Sequence, residues 1–257
     1  MNMGLPERVA VAAAVGAATV VLYILHRRRS AAASAASAAP PPASNPAPKR
    51  PARECITLVP QTMCPALQLE YSVHKPSRLL RRDIELVFRP DLDTSYHTDP
   101  RGAAAGLDKE AYLEAYLLAV PTWQPSSHDL SEIAFEVNEE RKGLLGNFDA
   151  WADSLRPRLV EHWSDVSCPM EGNARYGTPT STIYNELEGL TSLLRYDSIP
   201  IGCCGIVLHP RWQRKAYPVT LFTLAPIEHL TGALEAVEAE RAAAKGKHVV
   251  RQSLEYE

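Results

Sequence analysis

The residues most suggestive of chemistry lie in one short stretch, Gly202-Cys203-Cys204-Gly205, with His209 shortly after it. A thiolate near an imidazole is the starting arrangement of a cysteine nucleophile, and flanking glycines let a substrate approach closely. The same stretch lies inside an apolar run, where two adjacent cysteines of a strand would point to opposite faces and pack as small apolar side chains. We favour packing, and keep Cys203, Cys204 and His209 as the catalytic candidates.

The sequence carries no motif for a metal or a cofactor. A zinc site would need Cys168 to converge with Cys203, Cys204 and His209, and no two of these have the spacing of a recognised ligand pair. The glycine-rich signatures of nucleotide-binding loops and the paired-histidine signature of zinc proteases are also absent. We therefore predict no metal and no cofactor, and we lean towards a protein that is not an enzyme.

Three further histidines are candidates for acid–base chemistry. His97 lies two positions before Asp99, His128 directly precedes Asp129, and His162 falls near a predicted helix end. A histidine beside a carboxylate suits a general base. Asp in polar loops more often serves turns and caps, and a histidine at a helix end interacts with the helix dipole, so we interpret all three as structural.

Two clusters of positive charge are the candidate binding surfaces. One of them surrounds an aromatic ring, a combination enriched at protein interfaces and in phosphate recognition. Both clusters suit lipid head groups or an acidic partner, and solvated turns between strands are the alternative interpretation. The candidate binding residues are Arg78, Arg81 and Arg82 in the first cluster, and Arg211, Trp212, Arg214 and Lys215 in the second.

Charge is unevenly distributed along the 257 residues. Residues 1–53 hold seven basic residues and one acidic residue, which leaves 20 basic and 29 acidic residues, a net charge of −9, for the rest. Nucleic-acid binding needs surplus Lys and Arg to meet the phosphates, so we predict no nucleic-acid partner. The five cysteines are odd in number and show no C-x-x-C spacing, which favours a reducing compartment.

The most apolar stretch is residues 9–25, which carries no charge and is followed by an arginine triplet at 27–29. As a helix it would be about 26 Å long, close to the roughly 30 Å hydrocarbon core of a bilayer. The positive charge after the span predicts a cytosolic C-terminal part, with residues 1–8 on the other side. We therefore predict a signal anchor in an organelle membrane, namely the mitochondrial outer membrane, a peroxisome or the endoplasmic reticulum.

Two alternatives for the N-terminal region stay open. The first fifty residues are nearly free of acids and rich in Arg, Ser and Ala, which also matches a cleaved transit peptide and would leave a soluble organellar protein. A cleaved secretory signal fits less well, because the arginine triplet directly follows the apolar core. Residues 26–53 are basic at first and then rich in Ala, Ser and Pro, and this composition predicts a flexible linker.

Beyond residue 53 the patterns predict one α+β domain at 54–244 and a polar tail at 245–257. We expect a largely antiparallel sheet of about six strands, with about four helices on one face. Alternating apolar residues predict most strands, and a capping residue before a helical stripe predicts most helices. The predicted strands are 54–59, 67–73, 84–88, 133–137, 199–208 and 217–224; a loop is predicted at 91–106; helices are predicted from Asp108 to a stop at Pro121, from Asn147, over 180–195 and from Pro226.

Together these features predict a single-pass, membrane-anchored protein whose acidic cytosolic domain binds another protein, as a tether, receptor or recruiter on an organelle surface. The support is the layout of an anchor, a long spacer and a domain without catalytic motifs. Some membrane-bound recruiters and outer-membrane receptors share this arrangement, but no residues match. Two other functions stay open: a membrane-tethered enzyme that uses Cys203, Cys204 or a loop histidine, and a domain that binds lipid head groups through residues 211–215.

Overall fold

The computed structural model describes residues 54–201 and 204–254, with side chains up to residue 244 except that of Cys204. The predicted anchor at 9–25, the predicted linker up to residue 53 and the candidate Cys203 lie outside the described residues. Within the described ranges, no helix combines the length and the apolarity that a membrane span requires.

The described part of the chain holds seven strands, seven α-helices and one 3₁₀-helix in mixed order. In chain order they are β1 (Ile56–Cys64), β2 (Leu69–Lys75), α1 (Arg78–Val87), α2 (Arg89–Thr98), α3 (Pro100–Ala105), α4 (Lys109–Tyr116), β3 (Leu118–Pro125), α5 (Phe135–Leu155), the 3₁₀-helix (Arg156–Leu159), β4 (Ser164–Val166), α6 (Glu186–Leu194), β5 (Ser198–Ile201), β6 (Cys204–Val207), β7 (Ala216–Thr223) and α7 (Ile227–Leu254). The predicted α+β class is confirmed.

Five strands form one sheet in the order β1-β2-β3-β7-β4, and every pairing in it is antiparallel. The predominantly antiparallel character was therefore predicted correctly. The two remaining strands, β5 and β6, pair only with each other as a separate hairpin. The predicted single strand at 199–208 is wrong, because this apolar run is split between the two arms of that hairpin.

Helices cover both faces of the sheet, so the prediction that they cover one face is wrong. Side chains of alternate strand residues point to opposite faces. On β7, Val219 and Leu221 enter a core built with α5 and α7, whereas Phe222 enters a second core built with α1, α2, α4 and α6. The expected inward side chains of α5, among them Phe148 and Trp151, are fully buried in the first core.

The segment 84–88, predicted as a strand, lies at the end of helix α1. Ser77 caps this helix, because its hydroxyl oxygen accepts the N–H of Leu80 at 3.3 Å. Leu80, Ile84 and Val87 are buried at positions i, i+4 and i+7, a helical stripe that also contains an alternating subset. The predicted loop at 91–106 is likewise wrong, since it holds helices α2 and α3.

Pro121 does not end a helix as predicted. Helix α4 begins after its predicted cap, Asp108, whose carboxylate accepts the N–H of Ala111, and ends at Tyr116. Pro121 lies within β3, opposite Thr220 of β7, in the middle of the sheet. A strand that is buried on both faces has a continuous apolar sequence, which periodicity alone does not distinguish from a buried helix.

Helix α5 replaces the predicted strand at 133–137 and continues through Asn147, which is therefore not a cap. The Asn147 amide instead donates a hydrogen bond of 3.0 Å to the Leu67 carbonyl. Helix α6 begins at Glu186, after its cap Asn185, rather than at residue 180. The predicted strand 217–224 and the helix after Pro226 are confirmed, and α7 continues beyond the predicted start of the tail to Leu254.

Candidate functional site

His209 is buried beside the main sheet, and both nitrogens of its ring are hydrogen-bonded. Nδ1 accepts the backbone N–H groups of Arg211 and Trp212 at 3.2 Å each, so the ring proton belongs on Nε2. Nε2 then donates to the Glu70 carboxylate at 3.0 Å, a contact between two buried side chains. In this arrangement neither nitrogen is available to take a proton from a thiol.

Aromatic rings enclose the His209 imidazole. Trp212 stacks on it at 4.3 Å between ring centroids, and Trp123 and Tyr196 contact it at 5.1 and 5.6 Å. Burial lowers the pKa of His209, and the Glu70 carboxylate only partly opposes this. The ring therefore fixes the turn that follows it. The catalytic role of Cys203 and Cys204 stays a prediction, because neither side chain is among those described.

The second basic cluster is attached to the loop at 126–134. Arg214 pairs with Asp129 at 3.0 Å, and the Lys215 ammonium donates to the Ser127 carbonyl at 2.9 Å. Arg211 lies with its guanidinium 5.6 Å from the Trp212 ring centre. All three basic side chains are exposed, but two of them also make intramolecular contacts that hold this loop. Their predicted binding role stays a prediction.

The first basic cluster belongs to helix α1. Arg78 pairs with Glu110 at 2.7 Å and Arg81 with Glu114 at 3.3 Å, which connects α1 to α4. The Arg81 side chain is only 8% exposed, so it serves this internal contact. Arg82 lies on the exposed face of the helix. The cluster is therefore divided between helix packing and surface, which sequence spacing alone did not reveal.

An exposed apolar pair, Ile133 and Phe135, protrudes where the loop at 126–134 enters helix α5. We call these two residues the apolar tip. Ile133 is 96% exposed and Phe135 is 74% exposed. Among the large apolar residues that the structure describes, only Val160, at 81%, lies between them. Ala134, between them, packs against the core and fixes the direction in which the tip points.

The loop that carries the apolar tip is held by the Glu140 carboxylate. This carboxylate accepts the Ser127 N–H at 2.6 Å, the Ser127 hydroxyl at 2.8 Å and the His128 N–H at 3.1 Å, and it contacts His128 Nδ1 at 2.6 Å. Burial would raise the pKa of Glu140, but these hydrogen bonds outweigh it and lower the pKa to about 2. Arg141 adds a hydrogen bond of 2.6 Å to the Leu130 carbonyl.

A cleft of about 520 Å³ opens at the other end of the sheet, and we call it the polar cleft. Helices α2 and α3 form one wall, residues 160–163 form another, and Leu224 closes it after β7. These three segments are far apart in the sequence. The volume lies in the range of ordinary small-molecule sites.

An ion pair forms one side of the polar cleft. Arg101 Nε lies 3.0 and 2.9 Å from the two oxygens of Asp99, and Arg101 Nη2 donates to the Leu224 carbonyl at 2.8 Å. The Tyr112 hydroxyl also donates to Asp99 at 2.7 Å. Arg101 and, to a smaller extent, Tyr112 lower the pKa of Asp99, so the carboxylate stays charged. The network connects α3 and α4 to the end of β7.

Two histidines meet beside this ion pair. The rings of His162 and His229 are 5.3 Å apart between centroids, in an edge-to-face arrangement. Burial lowers the pKa of His162, Arg101 and His229 lower it further, and Asp99 and Glu161 oppose them. His162 is therefore neutral at pH 7. Among the side chains that the structure describes, no group of three or more His, Cys, Asp or Glu is arranged to hold a metal ion.

Most of these residues have no signal in the sequence. The alternation of Ile133 and Phe135 predicts a strand, and no pattern indicates Glu70, Glu140 or Arg101 as site residues. One local signal was present: Asp99 followed by Pro100 is a typical helix start, with a capping side chain and proline at the first position. No protein-family model matches the chain, and no curated protein matches it in sequence.

Proposed function

We propose that this chain is a receptor or tether that binds another protein at an organelle membrane, with residues 9–25 as its anchor and the domain from residue 54 in the cytosol. The observation that supports binding is the apolar tip. Two large apolar side chains face solvent where the loop at 126–134, fixed by Glu140 and Arg141, enters helix α5. Exposed apolar groups at a defined position are typical of a protein contact site.

The rigidity of the loop matters for affinity. A partner that covers Ile133 and Phe135 gains roughly 1.5–3 kcal/mol for each fully buried side chain. A flexible loop would lose part of that gain on ordering, whereas this loop is already hydrogen-bonded. The tip can therefore act as an anchor residue pair of the kind that dominates protein interfaces.

The partner's surface follows from the surroundings of the tip. Glu132 and Glu136 flank it in the sequence and are exposed. Acidic residues beside an apolar pair disfavour an anionic lipid surface, because like charges repel. They favour a protein surface with an apolar centre and basic edges.

The test uses the full chain in cells, with a proximity-labelling enzyme at its C-terminus. The double variant Ile133→Ser, Phe135→Ser removes the tip, and Met170→Ser removes another exposed apolar residue, 66% exposed, as the matched control. We expect the double variant to stay in membranes after alkaline extraction but to lose its specific labelled neighbours, whereas Met170→Ser keeps them. Unchanged neighbours for the double variant would contradict binding through the tip, and release of all three proteins by alkali would contradict the anchor.

A further inference from the structure

The polar cleft has a wall chemistry that selects one class of ligand. We propose that it is a binding site for a small organic cation, an ammonium or amidinium group on a compact apolar body. This inference is independent of the protein-binding function proposed above, because it rests on residues at the other end of the sheet.

Three residues that line the cleft have hydroxyl groups whose protons are already engaged by backbone carbonyls. The Thr94 hydroxyl donates to the Pro90 carbonyl at 3.0 Å, and the Ser95 hydroxyl donates to the Asp91 carbonyl at 2.8 Å. The Thr98 hydroxyl donates likewise to the Thr94 carbonyl at 2.9 Å. A hydroxyl has one proton, so these three side chains offer a ligand acceptors and no donor.

The cation of the cleft wall is not available to a ligand. Arg101 directs Nε at Asp99 and Nη2 at Asp99 and the Leu224 carbonyl, and its guanidinium lies 4.3 Å from the Tyr116 ring centre. Its remaining nitrogen, Nη1, is sealed from solvent and has no hydrogen-bond partner among the described residues. An anion in the cleft would therefore reach no free guanidinium donor.

The charges that remain are negative. Asp99 and Arg101 neutralise each other, which leaves Asp91 and Glu161 as the other two acidic residues of the lining. Asp91 accepts hydrogen bonds from the neutral N–H and hydroxyl of Thr178, and no cationic side chain among those described is paired with it. Charges of one sign in a concave site focus the electrostatic field and attract a counter-ion.

Apolar surface completes the site. Val160, Trp163 and Leu224 also line the cleft. A cation with an apolar body can contact Val160 and Trp163, while Leu224 is itself buried, and its charged head can meet the acidic residues and hydroxyl oxygens. Small-molecule sites combine apolar lining and a few placed polar groups in this way.

The experiment compares three ligands of one shape on the full chain in detergent micelles, by ligand-observed NMR titration. Benzylamine carries the cation, benzyl alcohol is the neutral analogue and benzoate is the anion. We expect saturable binding in the order benzylamine, benzyl alcohol, benzoate. Equal binding of the three, tighter binding of benzoate, or no saturable binding of benzylamine would each overturn the proposal.

Charge variants locate the site. Glu161→Gln and Asp91→Asn should each weaken benzylamine binding by about three- to tenfold, the size expected for one charge near a protein surface. They should leave benzyl alcohol unchanged. Asp153→Asn, the same charge loss on an exposed residue outside the cleft, is the control. Because Asp91 also bonds Thr178, Glu161→Gln is the decisive variant, and an unchanged benzylamine affinity in it would overturn the assignment to this cleft.

Discussion

The two ends of the central sheet use the same kind of interaction, a hydrogen-bonded carboxylate, with different results. β7 runs about 23 Å between them, from the loop at 126–134 to the polar cleft. At each end one carboxylate accepts several hydrogen bonds: Glu140 at the loop and Asp99 at the cleft. Glu140 fixes a loop that presents apolar side chains outward, whereas Asp99 pairs with a guanidinium in the wall of the cleft.

A hydrogen-bonded carboxylate positions its neighbours, and the effect of losing it depends on how deeply it and its partners are buried. The Asp99 and Arg101 side chains are 14% and 21% exposed, and their network joins elements across the fold. Glu140 is 20% exposed, but its partner His128 is 46% exposed. Damage at the cleft should therefore lower the stability of the domain more, whereas damage at the loop should mainly weaken binding.

The largest expected effect tests whether acid sensitivity belongs to either end. Both carboxylates have lowered pKa values, so both stay charged as the pH falls to 4. His74, buried in β2, is different: burial lowers its pKa to about 4 from the usual 6.5. The unfolded chain binds a proton below pH 6.5 and the folded chain does not, so stability is lost as the pH falls from 6.5 to 4.

The loss attributable to His74 is about 3 kcal/mol, because each pKa unit of difference corresponds to about 1.4 kcal/mol. Urea unfolding of the full chain in a mild detergent, followed by tryptophan fluorescence at pH 7 and pH 4.5, measures it. In His74→Asn this pH dependence should shrink by most of that amount. If the change in stability between pH 7 and pH 4.5 is undiminished in His74→Asn, the acid-sensitive group lies elsewhere, and the carboxylates at the two ends become candidates.

The second expected effect separates the ends by stability. Asp99→Asn leaves the Arg101 guanidinium without its counter-charge, and breaking a largely buried pair in this way should cost about 2 kcal/mol, below the 3–5 kcal/mol of a fully buried pair because water still reaches the site. Chemical denaturation at pH 7 gives the value. Asp93→Asn is the control. It breaks the contact between Lys109 and Asp93 of α2, whose side chain is 47% exposed, and it should cost under about 1 kcal/mol. Equal losses of stability in the two variants would contradict the claim that the more buried ion pair contributes more to the fold.

Sequence patterns predicted the local parts of this structure. Asp108 begins a helix because a capping carboxylate acts within one turn. The alternating apolar residues of 67–73 predict strand β2, although the structure buries both faces of this strand and not one. The mistakes arose where one pattern fits two structures. Ile133, Phe135 and Val137 alternate like a strand, but only Val137 is buried, on a helix. Their exposure depends on tertiary packing that no short window contains.

The polar cleft could not be predicted for a different reason. It joins α2 and α3 to residues 160–163 and to Leu224, which are brought together by the tertiary fold and not by closeness in the sequence. Each segment looks like an ordinary loop or helix end when taken alone. The same holds for His209, since its partner Glu70 lies 139 positions away. Long-range juxtaposition is set by strand order, and strand order was not readable from periodicity.

The smallest expected change in stability tests the other half of the comparison. Glu140→Gln keeps the size of the side chain but removes the charge that strengthens four hydrogen-bonding contacts in the loop, so the free energy of unfolding should fall by only about 1 kcal/mol. Partner labelling should nevertheless drop several-fold, because the apolar tip is then less rigidly held and its ordering opposes binding. Lys142→Gln, on an exposed ion pair with Glu139, is the control for both readouts. A stability loss as large as that of Asp99→Asn, with binding intact, would mean that Glu140 supports the fold and not the presentation of the tip.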